Sequence, residues 1–154
     1  MTERRFYHLT RKTLEQTLPG LLEKSLERGW RVLLLTGSPE RAEALNQYLW
    51  TYKPDGFLPH GTAKDGHAEH QPILIHAISD GMPERAPNGA YALFLTDGVD
   101  GQGLSGVDLI CDLFDGNDPD AVAAARDRWR QSKAGGDDLT YWQQNERGGW
   151  EKKA

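Results

Sequence analysis

The sequence is poor in sulfur, with one cysteine and two methionines among 154 residues. A lone cysteine, Cys111, excludes an internal disulfide framework and fits a reducing compartment. It stands inside an apolar run and reads as a small core residue rather than a nucleophile. No apolar run approaches the roughly 20 residues that span a bilayer. The opening Met1-Thr2-Glu3-Arg4-Arg5 is not followed by an apolar stretch of the secretory kind, so the expected location is cytoplasmic, away from any membrane. Excess positive charge is missing as well. A formal net charge of −5 argues against a whole-molecule grip on phosphate backbones, because non-specific nucleic-acid binding rests on many Lys and Arg contacts. Also absent are H-E-x-x-H, a G-x-S-x-G elbow and a Cys–His signature for nucleophilic catalysis. There is no internal repeat and no low-complexity segment.

What is present is the alternation of an α/β domain. Residues 5–9, Arg-Phe-Tyr-His-Leu, read as a first strand. Leu14, Leu18, Leu21, Leu22 and Leu26 recur at helical spacing, with Thr10 or Thr13 available as cap and Gly29 as terminator. Pro19 either kinks this helix or marks its start. Residues 31–36 form a continuous apolar run, which suits a parallel strand covered on both faces. Ser38 followed by Pro39 is a helix start, and Ala42, Leu45 and Leu49 give that helix its apolar face, ending before Pro54. Residues 51–72 read as a long loop, followed by a third strand at 73–76 and a second loop at 79–89. Two apolar runs, 91–96 and 107–114, flank a glycine-rich connection. Asp118 and Pro119 start the last helix, which stops at Gly135-Gly136, and residues 139–142 make a final short strand. This grammar predicts a single domain over residues 1–142, with helices on both faces of a mostly parallel sheet. Residues 143–154 are expected to be a polar, frayed tail whose one anchor is Trp150.

Several patterns invite chemistry. Gly101-Gln102-Gly103-Leu104-Ser105-Gly106 fits G-x-G-x-x-G, which would make a nucleotide-binding enzyme. That fingerprint must open a helix, however, and the run after Gly106 is β-prone. The bland alternative is a surface turn. His60, His67 and His70, with Asp65 and Glu69, are candidate metal ligands, against the plain reading of a polar loop. Asp97, Asp100, Asp108 and Asp112 are carboxylates near strand ends, the usual place for turn formers and caps. In the last helix Arg126, Arg130 and Lys133 lie at i, i+4 and i+7 beside an apolar stripe of Val122, Ala125 and Trp129. A basic row along an aromatic edge suits an acidic peptide with an apolar end. A solvated face beside a core face remains open, as does direct single-stranded nucleic-acid binding.

Taken together, these stretches resemble the chi subunit of bacterial DNA polymerase III holoenzyme. The resemblance rests on Phe6-Tyr7-His8-Leu9, Gly29-Trp30-Arg31-Val32-Leu33-Leu34, Leu49-Trp50 with Phe57-Leu58-Pro59-His60-Gly61, and Ile73-Leu74-Ile75. It continues through Ile110-Cys111-Asp112-Leu113-Phe114 and Arg126-Asp127-Arg128-Trp129-Arg130, in order, over most of residues 5–140. It implies a Rossmann-like three-layer fold without bound nucleotide or other cofactor, and an accessory protein without catalytic activity of its own. The implied partners are the acidic C-terminal tail of single-stranded DNA-binding protein and the psi subunit of the clamp-loader complex, with DNA contacted only weakly or indirectly. Carried onto this sequence, the tail site is Arg126, Trp129, Arg130 and Lys133, and the psi-facing surface is Trp50, Phe57 and Pro59. Val122 stands where the family's basic stripe often extends by one more turn.

Overall fold

The computed structural model describes residues 2–53 and 58–154. The chain begins with β1 (Glu3–Leu9) and α1 (Leu14–Glu27), then β2 (Val32–Thr36) and α2 (Pro39–Thr51). Three short strands follow, β3 (His60–Thr62), β4 (Ile73–Ala77) and β5 (Ala92–Leu95). The last third contributes β6 (Leu109–Asp115), α3 (Pro119–Ala134), β7 (Asp138–Gln144) and β8 (Trp150–Lys152).

The helices start where their capping chemistry places them. Thr13 and Gln16 form a reciprocal capping box at α1, each side chain taking the other's backbone amide. Ser38 accepts from the Arg41 amide at 3.1 Å with Pro39 in the first turn of α2. α1 runs through Pro19, which is buried inside the helix rather than at its start.

One eight-stranded sheet runs in the order β3-β4-β2-β5-β6-β1-β7-β8, parallel throughout except for the antiparallel β7–β8 pair. Alternation across the sheet separates two cores. On one face Leu34, Ile75, Phe94, Cys111 and Leu113 pack with Leu18 and Leu22 of α1 and Leu45 and Leu49 of α2. On the other, Phe6 and Phe114 meet Ala125 of α3, while Leu33, Leu35, Leu93 and Leu95 are roofed by Val99 and Val107 from the β5–β6 connection. The result is a three-layer α/β fold.

The polar C-terminal stretch is ordered, contrary to the expectation of fraying. Residues 143–154 finish β7 and return as β8, with Gln144 opposite Trp150 in register. The Trp150 ring meets Tyr7 edge-on at 5.0 Å. Gln144 explains why a polar sequence folds here. Its buried side-chain oxygen accepts the amides of Thr10, Arg11 and Lys12, each at 3.0 Å, and so fastens the loop between β1 and α1. The long loop is likewise shorter than its composition suggests, because residues 60–62 add β3 to the edge of the sheet.

Beneath α3 lies a buried charged cluster. Asp112 projects from β6 and is 1% exposed. It takes Arg128 in a fork, Nε at 2.6 Å and Nη2 at 3.0 Å, and Arg4 of β1 through Nη2 at 3.3 Å. Removing the shared carboxylate leaves two guanidinium groups buried without it, whereas replacing all three side chains by apolar ones removes charge and desolvation together. Asp112→Asn is therefore expected to lower unfolding free energy in urea by about 3–5 kcal/mol, and the triple Arg4→Met, Asp112→Leu, Arg128→Met variant to recover most of that loss. A single variant with wild-type stability would show that the cluster does not pin α3. Burial also pushes the Cys111 thiol up to about 12. A thiol reagent at neutral pH should react with it only as fast as the protein unfolds.

Candidate functional site

The buried fork determines which way α3 faces. Ala125, Arg128 and Ser132 are the residues it buries. Two positions along a helix is about 200° around it, so Arg126 and Arg130 turn outward when Arg128 turns in. Arg126, Arg130 and Lys133 are all exposed, on one outer stripe. Arg130 carries one local partner, Asp127 Oδ1 at 3.0 Å, with both side chains largely in solvent. The helix begins where Asp118 accepts the amides of Asp120 and Ala121 at 3.0 and 3.5 Å.

Trp129 lies beside this stripe and is half-buried. Its ring meets Phe6 edge-on at 5.3 Å and Tyr141 at 5.7 Å. Tyr141 in turn stacks on Phe6 at 6.5 Å with its plane only 10° away. His8 and Phe114 complete the aromatic floor, 5.1 Å apart between centroids. The His8 Nδ1 sits 2.6 Å from the Tyr141 hydroxyl. Burial lowers the His8 pKa from its ordinary value, the Gly116 backbone raises it, the Arg126 charge lowers it and Asp115 raises it, for a net lowering. Burial raises the Tyr141 pKa, with Arg126 opposing. The sequence-derived group of Arg126, Trp129, Arg130 and Lys133 thus shares one helix, and the structure adds His8 and Tyr141 from β1 and β7. Their signal was the alternation that puts Phe6 and His8 on one face of β1; the pairing with β7 was not visible.

The second predicted surface lies across the molecule, at the end of α2. Trp50 is 50% exposed, and its ring is 4.5 Å from that of His60. Pro59 is half-buried just before β3, and Phe57 lies outside the described residues.

The remaining candidates separate. His60 is buried, with its ring nitrogens 2.6 Å from the Leu58 carbonyl oxygen and 3.1 Å from that of Asn46. His67 and His70 are exposed. Among the described residues no three His, Cys, Asp or Glu side chains converge in a metal-holding group. The glycine fingerprint opens no helix; it leads into β6. Gly101, at φ 73°, lies against the β5 side chains, where a Cβ would come within 3.0 Å of Leu95 and 3.2 Å of Leu93. The connection is a roof over the sheet, not a phosphate cradle.

A cavity of about 690 Å³ does open where a doubly wound fold would hold a ligand, beyond the carboxyl ends of β1, β5 and β6. Its walls carry five carboxylates, Glu15, Asp97, Asp115, Asp118 and Asp120, against four cations, Arg11, Lys12, Arg41 and Arg128. Arg41 is already taken by Glu15 at 2.6 Å and Asp97 at 3.2 Å. A phosphate group would meet no excess of positive charge there.

Comparison with known sequences bears on most of the chain. A profile of the family described as DNA polymerase III chi subunit, HolC, matches residues 1–140. A relative from Rickettsia prowazekii (strain Madrid E), described as probable DNA polymerase III subunit chi, is 31% identical over 94 residues. That match covers 61% of this chain and 54% of the relative, so the chain spans about half the relative's length. Among the described residues, no helix is long and apolar enough to cross a membrane.

Gly116 follows β6 and supports the His8 ring. A Cβ there would fall 1.9 Å from His8 Cδ2, 2.2 Å from its Nε2 and 2.7 Å from the Leu9 carbonyl oxygen. Gly116→Ala is expected to displace the His8 ring and cost about 1–3 kcal/mol in thermal or urea unfolding. An unchanged His8 environment by NMR would refute this packing.

Proposed function

The chain belongs to the DNA polymerase III chi subunit family, and from that premise we propose that it is a non-catalytic accessory subunit of the replicative polymerase. In this reading it links the clamp-loader complex to single-stranded DNA-binding protein by holding that protein's acidic C-terminal tail along α3. It works in the cytoplasm as a bridge between proteins. The observation that carries the reading is the outward stripe of Arg126, Arg130 and Lys133 beside the half-buried Trp129.

The chemistry fits the ligand class. A guanidinium group binds a carboxylate bidentately, and a row of cations at helical spacing meets successive carboxylates of an extended peptide. The aromatic edge of Trp129 and Tyr141 gives an apolar residue at the peptide's end a place to leave water. The stripe is local, and the molecule as a whole carries −5, so a specific acidic ligand is favoured over naked single-stranded nucleic acid. The end of α2, with Trp50 half-exposed and Pro59 nearby, is the surface assigned to the psi subunit within the clamp loader.

Calorimetry with the acidic tail peptide at low salt tests the site. Arg126→Ala should weaken binding roughly tenfold or more, the loss for a charge-assisted contact made beside partly buried aromatics. Arg130→Ala should weaken it only a few-fold, because that side chain is solvated and must leave Asp127. Affinity should fall as salt is added. Wild-type affinity in both variants would place the tail elsewhere.

A further inference from the structure

Under the C-terminal half of α3 the buried ion cluster opens into a second cavity, of about 200 Å³. We propose that this cavity binds a small zwitterion, a free α-amino acid, whose carboxylate meets Arg4 and Arg128 and whose ammonium group meets Asp100 and Asp137. None of Arg126, Trp129, Arg130 and Lys133 lines it, so the site is separate from the peptide stripe.

The floor holds donors that the protein leaves unspent. Arg4 and Arg128 are 9% and 7% exposed, and both lean on the one carboxylate of Asp112. Two buried cations against one anion leave a positive charge for water or a ligand to answer. Arg4 reaches Asp112 only through Nη2, at 3.3 Å. Its Nε is buried without a partner, and its Nη1 is open and makes no hydrogen bond among the described residues. Arg4 borders this cavity and not the larger one, so its open edge faces here. Arg128 spends Nε and Nη2 on Asp112 and keeps Nη1. The Ser132 hydroxyl, one turn further along α3, is likewise unspent among the described residues. A planar guanidinium edge is shaped for a carboxylate, which is acceptor-only.

The rim carries the opposite charge. Asp100, from the β5–β6 connection, and Asp137, just after α3, both line the cavity. Asp100 Oδ1 accepts the Gln102 amide at 2.9 Å, and among the described residues neither carboxylate forms a salt bridge. A simple anion would be drawn by the floor and repelled by the rim, and a simple cation would meet the reverse. A molecule that carries both charges close together complements both. The volume decides its size, admitting an amino acid with a small side chain but no nucleotide or peptide helix. Water is the competing occupant, and the zwitterion displaces it by making charge-assisted bonds at both ends.

An NMR titration of the full chain reads the site directly. Glycine, L-alanine and L-serine at millimolar concentration should give saturable shifts at the Gln131, Ser132 and Gly135 amides. Acetate and methylammonium, which carry one charge each, should bind about tenfold more weakly. Asp100→Asn combined with Asp137→Asn removes the rim charge and leaves the Asp112 cluster whole. That variant should lose about tenfold in glycine affinity and gain in acetate affinity, so that the preference reverses. Asp137→Asn alone should fall between the two. Shifts that do not saturate, or no shift with any of these molecules, overturn the site and leave the cavity to water. Acetate binding to wild type as tightly as glycine makes this an anion site and overturns the zwitterion, as does a double variant that keeps the preference for glycine.

Discussion

A single carboxylate in the core, Asp112, fixes the relation between α3 and the sheet. Arg128 from the helix grips both its oxygens in a fork that tolerates little rotation, and Arg4 from β1 shares Oδ2. Ala125, Val122 and Trp129 pack α3 against Phe6 and Phe114, and the ion pair adds a directional contact to that packing. The ion pair turns Arg128 inward and so helps define which face of α3 is outer. Desolvating three charges offsets much of their attraction. Everything assigned to α3 follows from that orientation.

The same side of the sheet carries the aromatic floor. Arg4, Phe6 and His8 lie on one face of β1, so one strand supplies a charge for the pin and two rings for the surface above it. Tyr141 from β7 closes the cluster. The opposite face carries α1 and α2 over a leucine-rich core, with Cys111 sealed within it. The cleft beyond the strands, where related architectures hold nucleotides, is crowded by its own carboxylates and by the Arg41 bridge. The fold keeps the geometry of a ligand crevice while its local charges disfavour the ligand.

Much of this was legible in the residues. Ser38-Pro39 and Asp118-Pro119 mark helix starts by chemistry that acts within one turn, and the structure places α2 and α3 there. The outward row of Arg126, Arg130 and Lys133 follows from spacing alone. Arg128, between them, is written in the same charged letters, and nothing local distinguishes it from its neighbours. Only Asp112, sixteen positions earlier, does so, and that pairing is tertiary. The C-terminal stretch fails for a similar reason. Gln144 looks like a solvated polar residue, yet its buried oxygen gathers three amides from residues 10–12, more than 130 positions away. His8 and Tyr141 share this origin, 133 positions apart in sequence and hydrogen-bonded in space. Short-range signals were read well; polar residues whose partners arrive from the far end of the chain were not.

The position of β1 has a consequence for how the protein is made. Among the described strands β1 comes first in sequence, yet it is flanked by β6 and β7, two of the last. While β2, β4 and β5 can assemble as their residues emerge, β1 has no neighbour until the final third of the chain is synthesised. Its closure also waits on Arg128 for the charge of Arg4 to share a buried partner, and on Gln144 for the loop that follows. Long-range pairing of this kind slows the last step of folding. A nascent chain stalled before β6 would present Phe6 and Tyr7 on an unpaired edge, a natural substrate for chaperones during translation.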